Sequence, residues 1–134
     1  MDNNTKELCS YRQNKANSHI ESAELLLKKE MYTDSIILSC FSVFDAVNAL
    51  NGLNNLTPKT YNEIFDTFYS TYVASKVFDN RVGGLLQNAH CMYEKIAFED
   101  MHTTTKEEAE TRLNEAKLLY TLVRNYIDLK DMIG

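Results

Sequence analysis

An all-α fold, an antiparallel bundle of four to five helices, is predicted by three features of the sequence. Apolar residues recur at three- and four-residue steps through most of the chain, the spacing that lines one face of a helix. Punctuation is sparse: one proline, Pro58, and four glycines, one of them terminal, interrupt 134 residues, about as few as a mostly helical chain tolerates. Strand-like alternation and internal repeats are both missing. A chain of this length buries one core, so residues 1–134 read as a single domain.

The spacing predicts helices near residues 5–29, 34–51, 59–74, 80–97 and 106–131. In the first, Leu8, Ala16, Ile20, Ala23, Leu26 and Leu27 form the apolar face, with Glu21, Glu24 and Lys28 on others. The second follows "KEMYT", with Thr33 as its expected N-cap, and carries Ile36, Cys40, Phe41, Val43, Phe44, Val47 and Leu50. So wide a stripe marks a central, heavily buried helix. It also exceeds what one bundle core needs, and a homodimer would cover the excess. Asn51-Gly52 suits a C-terminal cap, and Thr57-Pro58 suits the start of the third helix. Asp79 is positioned to cap the fourth, which carries Val82, Leu85, Leu86, Ala89, Met92, Tyr93 and Ile96; Gly83-Gly84 weakens its first turn. Thr105 and Glu108 have capping-box spacing ahead of Ala109, Leu113, Ala116, Tyr120, Val123 and Ile127 in the fifth.

Composition narrows the function. With 44% hydrophobic and 25% charged residues, this is the composition of a soluble globular protein. The first residues, "MDNNTKELCSYRQNKANSH", lack the apolar core of a signal peptide, and no run approaches the roughly 20 apolar residues that span a bilayer. A cytoplasmic location, away from membranes, is expected. Net charge of −5 and a pI of about 5.2 argue against a broad basic face for nucleic-acid backbone. Cys9, Cys40 and Cys91 are odd in number and widely spaced, so reduced thiols are expected rather than disulfides or a zinc knuckle.

The order "ESAELLLKKEMYTDSIILSCFSVFDAVNALNGL", "KTYNEIFDTFYSTYVASKVFDN" and "YEKIAFEDMHTTTKEEAETRLNEAKLLYTLVRNYI" resembles the HEPN domain, in particular its small stand-alone prokaryotic branch. The likeness rests on Ser35, Cys40-Phe41-Ser42, Phe44, Ala46 and Ala49-Leu50 in the second helix. It continues through Phe68, Tyr72 and Val73 and through the opening of the last helix at Thr105 to Ala109. The resemblance implies a helical bundle, commonly dimeric, that often partners a minimal nucleotidyltransferase in toxin–antitoxin, defence or stress systems. No cofactor is implied.

Many members of that family are metal-independent RNases. Their motif is an arginine, a short spacer, then histidine or tyrosine, usually "R-x-x-A-D-Y" in the stand-alone branch. Aligning the "TKEEA" segments puts Tyr93 where the family has arginine and Phe98 where it has the terminal ring residue. Phenylalanine exchanges no proton, and tyrosine offers neither the charge nor the forked donors that suit phosphate. Arg81 and His90 could form a shifted motif, but eight residues lie between them. On one helix that is about two and a half turns, which puts them on opposite sides.

The stretch "HCMYEKIAFED" has further chemistry to weigh. His90 and Glu94 are spaced to share a helical face, yet no third metal ligand is evident. Glu99, Asp100 and His102 read as acidic and polar residues ahead of a helix start rather than a cation site. Cys91 beside His90 points about 100° away from it on a helix, so the two do not form a nucleophile and base. If a groove exists, helices two and four should line it, with Asp45, Asn48, Tyr93, Glu94 and Phe98 nearby. Three classes therefore stay open: a HEPN-like binding or assembly protein with a degenerate RNase motif, an RNase toxin using shifted residues, and a nucleotide-binding sensor. The first is preferred.

Overall fold

A computed structural model of the chain describes residues 1–99 and 103–133. The helices are α1 (Asn3–Lys28), α2 (Tyr32–Gly52), α3 (Tyr61–Phe68), α4 (Asn80–Phe98) and α5 (Lys106–Ile133), and a π-helical turn, Tyr69–Val73, continues α3. The described residues contain no strand. Every predicted boundary falls within two residues of an observed one, the third counted to the end of the π turn.

Local signals explain most of the ends. Asp79 caps α4 as expected, accepting from the amides of Arg81 and Val82. Thr105 Oγ1 accepts from the Glu108 amide at 3.1 Å. Thr60, not Thr57-Pro58, caps α3: its hydroxyl accepts from the Glu63 amide at 3.1 Å, and Glu63 Oε2 accepts from the Lys59 amide at 2.7 Å. Two expectations fail. Thr33 lies inside α2, whose N-cap is Met31, and its hydroxyl instead meets that of Thr104 at 2.8 Å. Asn51-Gly52 also stays inside α2 and is buried. Gly52 is there for packing: an added Cβ would sit 3.3 Å from Cys9 Sγ on α1.

Helix directions follow from cross-helix bonds. Cys9 Sγ donates to Ala49 O at 3.4 Å, Ser42 Oγ to Ala16 O and Ser35 Oγ to Ala23 O, both at 2.8 Å. These three ties make α1 and α2 antiparallel. Lys6 pairs with Asp131 and Lys117 with Glu24, so α1 and α5 are antiparallel too. It follows that α5 runs with α2. Tyr61 meets Phe44 and Tyr72 donates to Leu50 O, so α3 and its π turn also run with α2. Residues 53–60 carry the chain back along α2 to allow this. The bundle is therefore helical as predicted, but not uniformly antiparallel.

At the centre lies α2, which touches all four other helices. Its buried residues include Ile36, Val43, Phe44, Val47 and Leu50, and also Ser35, Ser39, Ser42, Ala46 and Ala49, whose small side chains let neighbours approach. Each large apolar side chain covered here contributes about 1.5–3 kcal/mol. By length and composition alone α2 could cross a membrane, but 72% of its most apolar 18-residue window is buried inside the bundle. Most of its apolar girth is thus covered within one chain, with Ile37, Leu38 and Phe41 left half-buried.

Candidate functional site

One stripe of α2 is only half covered. Phe41, Asp45 and Asn48 lie on it at helical spacing, between the α1 residues Arg12, Lys15 and His19 and the rings of Tyr61 and Tyr93. Asp45 Oδ2 is 2.7 Å from His19 Nδ1 and its Oδ1 is 3.7 Å from Lys15 Nζ. Burial pushes the Asp45 carboxyl up, against the downward pull of Lys15 and His19. With Nδ1 donating to the carboxylate, the other ring nitrogen of His19 is turned from it and has no hydrogen-bond partner among the described residues. A carboxylate, an imidazole and an ammonium thus meet at one half-buried place.

Aromatic rings floor this stripe. His19 leans on Phe41 at 5.8 Å between centroids. Tyr93 stands 5.7 Å from both Phe41 and Phe44, edge-on to the latter, and 5.6 Å from Tyr61. Tyr61 in turn lies 4.6 Å from Phe44. Burial raises the Tyr61 hydroxyl, and the nearby Tyr93 and Asp45 add to the effect. Asp45 and Tyr93 are two of the residues expected near a groove between helices two and four, and the Tyr61 ring lies against that of Tyr93 and feels the charge of Asp45. His19 was missed: it is 26 residues from Asp45 on another helix, and no local pattern relates them.

The remaining predicted groove residues fall away from this centre. Asn48 is closed off by α1, since its carbonyl accepts from Arg12 Nη1 at 2.7 Å and its side-chain oxygen accepts from Asn51 at 3.4 Å. Glu94 turns to His90, with Oε1 2.6 Å from Nε2. The His90 ring lies 4.3 Å from that of Phe65 and borders a cavity of about 250 Å³ with Tyr69, Leu86 and Gln87. Phe98 is 79% exposed and packs against no part of the stripe.

Arg81 is nowhere near a shared site with His90. Its side chain is 92% exposed and ion-paired to its own helix cap, Asp79, at 2.9 Å. Burial pushes the Cys40 thiol up to about 12 and raises that of Cys9, so neither supplies a thiolate near neutral pH. Cys91 is exposed, while its neighbour His90 is engaged with Glu94. Among the described residues no three His, Cys, Asp or Glu side chains gather as a metal site would require. Asp100 and His102 lie outside the described residues.

No protein-family model matches the chain, and a search of curated proteins gives no match.

Proposed function

We propose that this chain is a HEPN-like binding and assembly protein, a homodimer working with a partner such as a nucleotidyltransferase in a toxin–antitoxin, defence or stress system, with a degenerate RNase motif. The observation that carries this reading is the fate of the two motif positions. Tyr93 is spent as a packing ring against Phe41, Phe44 and Tyr61, and Phe98 is an exposed apolar side chain with no proton to give. Neither offers what a phosphoryl-transfer transition state needs. The polar stripe beside Tyr93 and, apart from it, the bare Phe98 suit recognition of a partner better than chemistry on a phosphate.

A second reading has one observation in its favour. His19, held by Asp45 with Lys15 alongside, has the make-up of an acid–base group beside a cation, which is what an RNase using shifted residues would need. Incubating purified protein with single-stranded RNA separates the two. The expected result is no cleavage above that of a His19→Ala, Lys15→Ala control. Cleavage that is lost in His19→Ala, or in Arg81→Ala or His90→Ala, would overturn the binding reading and establish an enzyme.

A further inference from the structure

We propose that the outward face of α5 is a self-pairing surface, docking antiparallel on α5 of a second copy about a two-fold axis near Asn125. The proposal names the surface of the homodimer put forward above and rests on that reading. Helix α5 is apolar on two sides. Its inner side, with Leu113, Leu119, Val123 and Ile127, is buried against the bundle. On the opposite side Leu118, Leu122, Asn125, Leu129 and Met132 follow one another at steps of four, three, four and three residues. Leu118 and Leu129 are half exposed, Met132 is mostly exposed, and Leu122 is half-buried.

Alternating steps of four and three keep a line of side chains facing one neighbouring helix, so the occupant this face fits is a helix. The line runs for about four turns. At about 100° per residue, none of the charged residues between 118 and 133 falls on it. Apolar side chains scattered singly over a surface need no explanation, whereas a continuous, charge-free line of them marks a contact. Asn125 interrupts the line near its middle and makes no side-chain hydrogen bond among the described residues. A polar residue within an apolar seam sets its register at a cost in stability. With the axis at Asn125, each side-chain amide can donate to the oxygen of the other, Leu118 comes level with Met132 of the partner subunit, and Leu122 with Leu129 of the partner subunit.

Charge identifies the helix as a second copy of α5. Lys117, Arg124, Asp128 and Asp131 share one flank of the seam, the flank beside α1, since Lys117 bridges to Glu24 and Asp131 to Lys6. Cations come first along this flank and acids second. An antiparallel pair sets the flank against its own copy with the order reversed, which is the self-complementarity a two-fold interface requires. With the axis near Asn125, Lys117 stands opposite Asp131 of the partner subunit and Arg124 opposite Asp128 of the partner subunit, each offset along the axis by about 3 Å. The two Arg124 side chains also approach near the axis, each with an Asp128 of the partner subunit beside it. Within one chain Arg124 and Asp128 are 3.9 Å apart and both largely exposed, a loose pairing that exchanges at little cost.

Light scattering tests the surface, and disulfide trapping tests its direction. A Leu118→Glu, Leu129→Glu double variant is expected to have half the mass of the wild type, with the same helical circular dichroism. Trapping uses Asn125→Cys and Thr111→Cys, each combined with Cys91→Ser, since Cys91 is the exposed cysteine and Cys9 and Cys40 are buried. Thr111 is exposed on the same face two heptads before Asn125. Under copper phenanthroline oxidation Asn125→Cys should close a covalent dimer and Thr111→Cys should not, because antiparallel pairing carries the two copies of residue 111 to opposite ends. If the double variant loses its helical signal, trapping alone decides. A double variant that stays dimeric, failure of Asn125→Cys to cross-link, or cross-linking of Thr111→Cys as readily as of Asn125→Cys overturns this surface and leaves a homodimer through another one standing. A monomeric wild type overturns both.

Discussion

Asp45 is a carboxyl whose environment works against its charge. It is only 17% exposed, and although His19 and Lys15 both favour the ionised form, burial outweighs them and raises its pKa above 3.8. The folded chain therefore holds this proton more tightly than the unfolded chain does. Stability from this residue is greatest below the unfolded value and is lost as pH rises through the folded one. An asparagine at this position does not titrate. The urea midpoint of the wild type minus that of Asp45→Asn should grow as pH falls from about 7 to about 4. A difference that shrinks over that range would mean that His19 and Lys15 dominate, as in an ordinary exposed ion pair.

Helix α4 opens on two adjacent glycines that behave differently. An added Cβ at Gly83 would sit 2.9 Å from Tyr69 Cε1, whereas one at Gly84 would meet nothing within 4 Å. Tyr69 comes this close because its hydroxyl donates to Gly83 O at 2.6 Å, which ties the π turn to α4. Gly84→Ala should raise stability by about 0.5–1 kcal/mol, the usual gain for removing a helical glycine. Gly83→Ala should lower it, because Tyr69 must withdraw from a contact that a methyl group cannot share. Thermal melts of the two variants read the opposite signs; a gain in both would show that Tyr69 moves aside at no cost. Sequence spacing located α4 and its Asp79 cap, since both depend on neighbours within a few residues. It took Gly83-Gly84 as mere weakness and Gly52 as a cap, since their roles come from rings and thiols on other elements. The same limit hid His19, which reaches Asp45 only after α1 folds back along α2.

The whole molecule is organised around α2, most of whose residues are buried by the other helices of the same chain. The residues of α2 that would be sticky in isolation are mostly covered by α1, α3, α4 and α5, so the homodimer we propose would use outer surface rather than the core. That separates assembly from folding. In an obligate dimer the folded monomer does not exist and dilution unfolds the chain. For the proposed homodimer, dilution should first dissociate the two copies and leave their helices intact. Light scattering, followed by circular dichroism at the same concentrations, checks the order of events. Loss of helical signal in step with the loss of dimer mass would mean that the core is completed by the second copy. A halved mass with an unchanged spectrum is expected, because every large side chain buried on α2 already has its partners within one chain.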